Sequence, residues 1–186
     1  MRANTSLHTL VLTLLFAGIV LNACGAPISS PTPTPALDTP EWFGIRLTDV
    51  VTGVTFSMND YAGKVVLLET MAIWCPNCLV QAAQVRTLHE TLGYSDDLVS
   101  VSLDVDVNED AATLKEYVDE YSLVGHFAVA PLEVARALGN LYTAQYLNPP
   151  LSPMLIIDRG GEVHHLQYGK KTAEVLLESL KPYLSP

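Results

Sequence analysis

Cysteine is scarce in this chain, with three in 186 residues, at Cys24, Cys75 and Cys78. So few exclude a fold stapled by several disulfides. With no second Cys pair to complete four ligands, they also exclude a structural zinc site. Positive charge is scarce too. Ten Lys and Arg face twenty Asp and Glu, and the basic residues nowhere cluster, which argues against nucleic acid or an anionic lipid surface as a direct partner. The acidity itself reads as solubility. There is one long apolar run, residues 10–21, and it is too short for a comfortable membrane span. No internal repeat is present.

That run has the length of the apolar core of a secretory signal, preceded by nine residues whose single permanent charge is Arg2. Leu21-Asn22-Ala23-Cys24, which follows it, resembles a bacterial lipobox: a branched apolar residue, a small residue, then cysteine. By that resemblance residues 1–23 are removed and Cys24 carries lipid. The alternatives are an uncleaved signal anchor, or plain secretion with Cys24 incidental. All three place the remainder of the chain outside the cytoplasm. Residues 24–40 are rich in Pro, Ser and Thr without apolar periodicity, the composition of a semi-extended tether. After signal removal nine basic side chains remain against twenty acids, a net charge of −11. Residues 41–186 then form one domain of ordinary size.

With Cys24 assigned to the anchor, that domain holds only Trp74-Cys75-Pro76-Asn77-Cys78. Two cysteines three positions apart close a tiny loop that restricts the unfolded chain little, so chemistry explains the pair better than stability does. An apolar strand, residues 64–71, precedes it, and a breaker-poor stretch with good helix formers, residues 78–88, follows. Cys75 therefore falls at a helix N-terminus, in a turn expected to be exposed, where the dipole favours a thiolate. A Cys-x-x-Cys beside a strand–helix unit is a thiol–disulfide signature.

Elsewhere the pattern predicts a hairpin from residues 43–48 and 54–57, and a strand at 98–105. A helix at 109–121 would carry Leu114, Tyr117, Val118 and Tyr121 on one face. A second helical stretch, 132–146, is expected to break near Gly139. A strand at 154–157 turns through Asp158-Arg159-Gly160-Gly161 into a partner at 162–168, and a last helix, capped by Thr172, runs to about Lys181. Alternating strands and helices with a closing hairpin give an α/β domain with a mixed sheet.

From Phe43 onward the chain resembles the membrane-anchored thioredoxin-like proteins of the TlpA/ResA type. The resemblance rests on Gly63-Lys64-Val65-Val66, Trp74-Cys75-Pro76-Asn77-Cys78, Ser152-Pro153 before Met154-Leu155-Ile156-Ile157-Asp158, Gly160-Gly161, and Gly169 before the last helix. It implies a thioredoxin-like fold, a four- or five-stranded mixed central sheet flanked by helices, and disulfide exchange with protein thiols outside the cytoplasm. A membrane protein would supply electrons, and no cofactor is implied. Relatives often carry an aromatic residue where this chain has Thr70 or Met71, a departure that touches the substrate groove.

The candidate catalytic residues are Cys75 as nucleophile, Cys78 as resolving thiol, and Glu69. Glu69 interrupts an apolar strand and matches the family's buried acid. Desolvation there would raise its pKa and suit it to take the proton of Cys78. The alternative is a side chain reaching solvent at a sheet edge. Trp74, Pro76, Asn77, Ser152 and Pro153 are the candidate substrate-binding residues. Trp74 either shields the disulfide and meets partners or simply packs, and Pro76 withholds an N–H from the sulfurs. Pro153 matches the family's cis-proline, which would leave the Ser152 backbone free to pair with a partner strand. A copper-binding reading draws on His126, His164 and His165. It is disfavoured because copper-handling relatives place three residues between their cysteines, and because adjacent His164 and His165 point to opposite faces. The Thr-x-x-Cys of peroxiredoxins is missing. A non-catalytic binding module is the remaining alternative, opposed by the intact Cys75, Cys78, Glu69 and Pro153.

Overall fold

A computed structural model describes residues 39–184; Cys24 and nearly all of the expected tether lie outside the described residues. The chain enters through a hairpin, β1 (Leu47–Thr48) against β2 (Thr55–Phe56), in a separate two-stranded sheet. Its strands are shorter than the alternation predicts. Phe43 belongs instead to a 3-10 turn, Glu41–Gly44, which buries Trp42 and Phe43.

The expected apolar strand is β3 (Val65–Met71), buried at all seven positions. A strand apolar on both faces needs cover on both, and its place is the middle of a sheet. It pairs in parallel with β4 (Leu98–Asp104) and antiparallel with β6 (Met154–Ile157). Outside these lie β5 (His126–Val129), parallel to β4, and β7 (Val163–His165), antiparallel to β6. The order β5-β4-β3-β6-β7 is the mixed five-stranded sheet that the resemblance implies.

Four helices complete the domain: α1 (Pro76–Thr91), α2 (Ala111–Tyr121), α3 (Leu132–Leu141) and α4 (Ala173–Leu184). Side chains alternate across β3. Val66 and Leu68 join Trp42, Phe43, Phe56, Val134 and Leu138 on one face. Val65 and Leu67 meet Val85 and Leu88 of α1 with Leu176 and Leu180 of α4 on the other. A third cluster gathers Met71, Cys75, Cys78, Leu114, Tyr117, Val118 and Phe127 at the C-terminal end of β3.

Four further points depart from the expected pattern. Strand β5 is missed by periodicity, because four residues are too few to show a period. Helix α3 runs through Gly139 and stops at Tyr142. A Cβ on Gly139 would stand 3.1 Å from Leu147 Cδ1, so the glycine makes room for the following turn instead of ending the helix. Tyr121 is exposed, leaving Leu114, Tyr117 and Val118 as the buried face of α2. Helix α4 passes Pro182 to Leu184, since Arg159 donates to the Tyr183 and Leu184 carbonyls and satisfies the last turn.

Leu68 is fully buried at the centre of the sheet. Leu68→Ala is expected to cost about 3 kcal/mol, a transfer term plus a cavity the strand cannot close. It should appear in urea unfolding as a lowered midpoint at unchanged slope.

Candidate active site

Strand β3 ends at Met71, which its ladder sets beside Asp104, the last residue of β4. On the other side Thr70 N–H donates to the Pro153 carbonyl at 3.2 Å, just before β6 begins. Three loops therefore meet at one end of the sheet: residues 72–75, 105–110 and 148–153. The Cys-x-x-Cys lies among them, as open α/β sheets place their sites at the C-terminal ends of their parallel strands.

Cys75 is the N-cap of α1, with extended backbone and its Sγ accepting the Cys78 N–H at 3.2 Å. Pro76 opens the helix where a missing N–H costs nothing. Cys75 and Cys78 are disulfide-bonded, their Cα atoms 5.3 Å apart. Contrary to the exposed turn expected, Cys75 is 1% exposed and Cys78 3%. The reason is the apolar cluster around Met71, Leu114, Tyr117 and Phe127 on one side and the 3-10 turn Pro149–Leu151 on the other. The Pro149 carbonyl oxygen lies 3.5 Å from Cys78 Sγ, and Asn77 Nδ2 donates to the Pro150 carbonyl at 2.9 Å. Asn77 thus pins that turn over the disulfide. Trp74 stands 57% exposed at the rim, its indole N–H donating to Asp106 Oδ2 at 2.6 Å.

The Ser152–Pro153 segment departs from expectation. No peptide bond among the described residues is cis, so the Ser152–Pro153 bond is trans, and Ser152 takes the left-handed conformation (φ 45°, ψ 58°) that swings the chain into β6. Its backbone is not free. The N–H donates to the Pro149 carbonyl at 2.8 Å, and the carbonyl accepts Lys171 Nζ at 3.0 Å. A partner strand pairing here would first have to displace both bonds. The Ser152 hydroxyl is enclosed and has no hydrogen-bond partner.

Glu69 is 5% exposed on the central strand, which disposes of the sheet-edge alternative. It shares a face with Ser102 across the β3–β4 ladder and accepts that hydroxyl at 2.7 Å. Burial pushes its carboxyl up to about 7, against the opposing pull of Ser102 and of the Lys171 ammonium. Lys171 is the residue that sequence reasoning missed. It is buried, and burial pushes its ammonium down to about 8, with Glu69 pulling the other way. Its Nζ donates to the Ser152 and Gly169 carbonyls. Its backbone is held from both sides by Gln81 of α1, whose amide accepts the Lys171 N–H at 2.8 Å and donates to its carbonyl at 3.1 Å. In the sequence, Lys170-Lys171 looks like surface charge; only the packing of α4's entry against α1 turns one of the two inward.

The acidic loop 105–110 was also missed. Besides Asp106 on the Trp74 indole, Glu109 Oε2 accepts the Ile73 N–H at 2.8 Å. The histidines weighed for copper are each engaged elsewhere. His126 Nδ1 is 2.9 Å from Asp49, His164 Nε2 is 2.9 Å from Asp158, and His165 Nδ1 is 2.9 Å from the Tyr146 hydroxyl.

Among the described residues no helix is long and apolar enough to cross a membrane. The model of the Redoxin family matches residues 33–181. No curated protein matches the chain. Among solved structures, a thiol:disulfide interchange protein of the thioredoxin family from Chlorobium tepidum TLS superposes with a TM-score of 0.61 at 20% identity, covering 76% of this chain and 93% of its own. StoA from Bacillus subtilis gives 0.56 at 16% identity, over 71% and 92%. A secreted Mycobacterium tuberculosis disulfide oxidoreductase homologous to E. coli DsbE gives 0.58 at 16%, over 77% and 99%. These likenesses carry the thioredoxin-like fold, and the family match carries the kinship. The chain belongs to the Redoxin family, with a thioredoxin-like fold and the paired cysteines of a thiol–disulfide oxidoreductase.

Proposed function

We propose that this oxidoreductase works outside the cytoplasm, tethered to the membrane through Cys24, as a reductant of disulfides in partner proteins. The observation that carries the chemistry is the buried disulfide at the N-terminus of α1; Glu69, buried on the strand that leads into it, has its carboxyl raised by desolvation to about 7. In the reduced protein Cys75 attacks a partner disulfide from its N-cap position, where the helix N-terminus stabilises the thiolate. One partner sulfur leaves as a thiolate and the other is bound to Cys75. Cys78 then attacks Cys75, the Cys75–Cys78 disulfide forms, and the second partner sulfur leaves. Two electrons pass to the partner, and a membrane electron-donor protein restores the dithiol. Glu69 takes the proton that Cys78 must lose, a task suited to a carboxyl poised near neutrality. Because both sulfurs are buried, the partner must displace the Pro149–Leu151 turn, whose hold on Asn77 is a single hydrogen bond.

Tethering rests on the lipobox-like Leu21-Asn22-Ala23-Cys24 and on residues 24–40, whose composition suits a spacer of about 3 Å per residue. Lipidation would also remove a thiol that otherwise competes with the Cys75–Cys78 couple, and several acyl chains hold where one gives only marginal binding.

Cys78→Ser is expected to trap mixed disulfides through Cys75, while Cys75→Ser traps none; non-reducing gels of material isolated with partners read the difference, and equal trapping refutes the assignment. Glu69→Gln is expected to slow reduction of a model disulfide near pH 7. Its effect on stability follows from linkage. The folded pKa lies above the unfolded value, so Glu69 lowers stability as pH rises from about 4.5 through about 7. That loss is on the order of 3 kcal/mol. Urea unfolding of the oxidised protein at pH 5 and pH 8 should show a fall in stability that is smaller in Glu69→Gln than in the wild type, the remainder coming from Asp104, whose carboxyl burial also raises. Mass spectrometry of the mature N-terminus should find Cys24 acylated, and a free Cys24 ends the tethering claim.

A further inference from the structure

The loop 105–110 carries a buried charge problem that disulfide exchange does not account for. Asp104 closes β4, is fully buried, and spends Oδ1 on the Asp106 N–H at 3.0 Å. Its Oδ2 is enclosed and receives no donor. An ionised carboxylate with an unmet oxygen costs several kcal/mol in such a place, and among the described residues no cation offsets the cost. The groups acting on it are anionic. Glu109, whose Oε2 reaches the Ile73 N–H two residues past Asp104's ladder partner Met71, acts on it by hydrogen bonding and charge, and Asp106 adds repulsion. The ladder neighbours Met71 of β3 and Val129 of β5 bring no charge, and Tyr117 of α2 is a neutral phenol whose proton is held more tightly by burial, with Glu69 and Glu109 adding to it. Asp106 itself is an anion held below the usual carboxylate range by the Asn108 backbone and the Trp74 indole.

Two carboxyl groups in contact cannot both be ionised without severe repulsion, whereas one proton between them turns the clash into a short, strong hydrogen bond. We infer that Asp104 and Glu109 share a proton, and that this acid–carboxylate pair is the clamp that positions the peptide leading into Cys75. Asp104 Oδ2 carries the proton and donates to Glu109. Glu109 in turn accepts the Ile73 N–H, two residues before Cys75, while Asp106 fixes the Trp74 indole. The orphan oxygen and the contact between two acids thereby have one explanation. Burial, with Glu109 and Asp106 adding to it, pushes the Asp104 carboxyl up to about 7. The clamp accordingly holds below neutrality. It loosens as the proton leaves, when Glu109 is driven from Asp104 and lets go of Ile73. Asp104 and Glu109 are positioning residues, since neither touches a sulfur.

The test uses the oxidised protein, in which no thiol titrates, so it is independent of the reductant reading and of Glu69's part in it. Trp74 reports the loop. Its fluorescence in the wild type should change in one step across pH 5 to 9. Asp104→Asn supplies a fixed N–H donor to Glu109, and Glu109→Gln supplies one to Asp104, so both should abolish the step, while Glu69→Gln should keep it. A step missing in the wild type, or surviving in both amide variants, overturns the inference. Should the amide variants fail to fold, infrared difference spectra of Glu69→Gln between pH 5 and pH 9 decide: a protonated buried carboxyl lost over that range supports the pair, and none refutes it. The functional consequence rests on the reading of Cys75 as the attacking thiol. In the reduced protein Asp104→Ala should change the alkylation rate of Cys75 at pH 6 several-fold, and Asp104→Asn should restore it. Equal effects of the two variants would reduce Asp104 to a structural residue.

Discussion

The hydrogen-bonded ladder of β3 between a parallel β4 and an antiparallel β6 is the constraint on which the rest depends. Because β4 runs with β3, the loops leaving both strands emerge at the same end, with Met71 beside Asp104. Because β6 runs against β3, the segment entering it arrives at that end as well, and Pro153 bonds to Thr70. The cysteine turn, the acidic loop and the Ser152–Pro153 segment are thus brought together by backbone register. Moving either neighbour by one residue would turn every side chain to the wrong face. With β4 so moved, Glu69 would lose Ser102 and stand beside Val101 or Leu103.

That register also creates the site's electrostatic tension. Glu69, Lys171 and Asp104 are all removed from water near one disulfide, and each is shifted toward its neutral form by burial. Such groups are poor stabilisers. Their use is that they change protonation near the pH at which thiols exchange, which a surface carboxylate or lysine does not. Glu69 and Lys171 oppose one another's shift, so the cation keeps Glu69 from rising further while its Nζ holds the Ser152 carbonyl. The sulfurs share the same dry environment. Exchange therefore needs local opening of the Pro149–Leu151 turn, a three-residue segment secured largely by side-chain and turn bonds and not by a ladder, the kind of element that opens at low cost.

Much of this was legible in the sequence, for identifiable reasons. Strand β3, helix α1 and the position of Cys75 between them follow from a long apolar run, a proline at the first helical position and good helix formers after it. Glu69 stands out because a charge inside such a run has few explanations. The contribution of Lys171 is invisible, because it depends on Gln81, ninety residues earlier, folding back to hold it. Asp104 and Glu109 are equally silent, since an acidic loop before a helix ordinarily means capping and solvation, and here Asp110 does cap α2. The exposure of Cys75 was misjudged for a related reason. A turn between strand and helix is usually open, and the turn that covers this one comes from residues 149–151.

The account's central claim is that Cys75 and Cys78 form one reversible two-electron couple. Equilibrating the protein in thiol–disulfide buffers of stepped potential, then alkylating and weighing it, tests this directly. The account predicts that two alkyl groups appear together, on Cys75 and Cys78, along a single transition whose ratio of forms changes tenfold per about 30 mV. A disulfide that stays closed at every potential, or two cysteines that titrate separately, would contradict it.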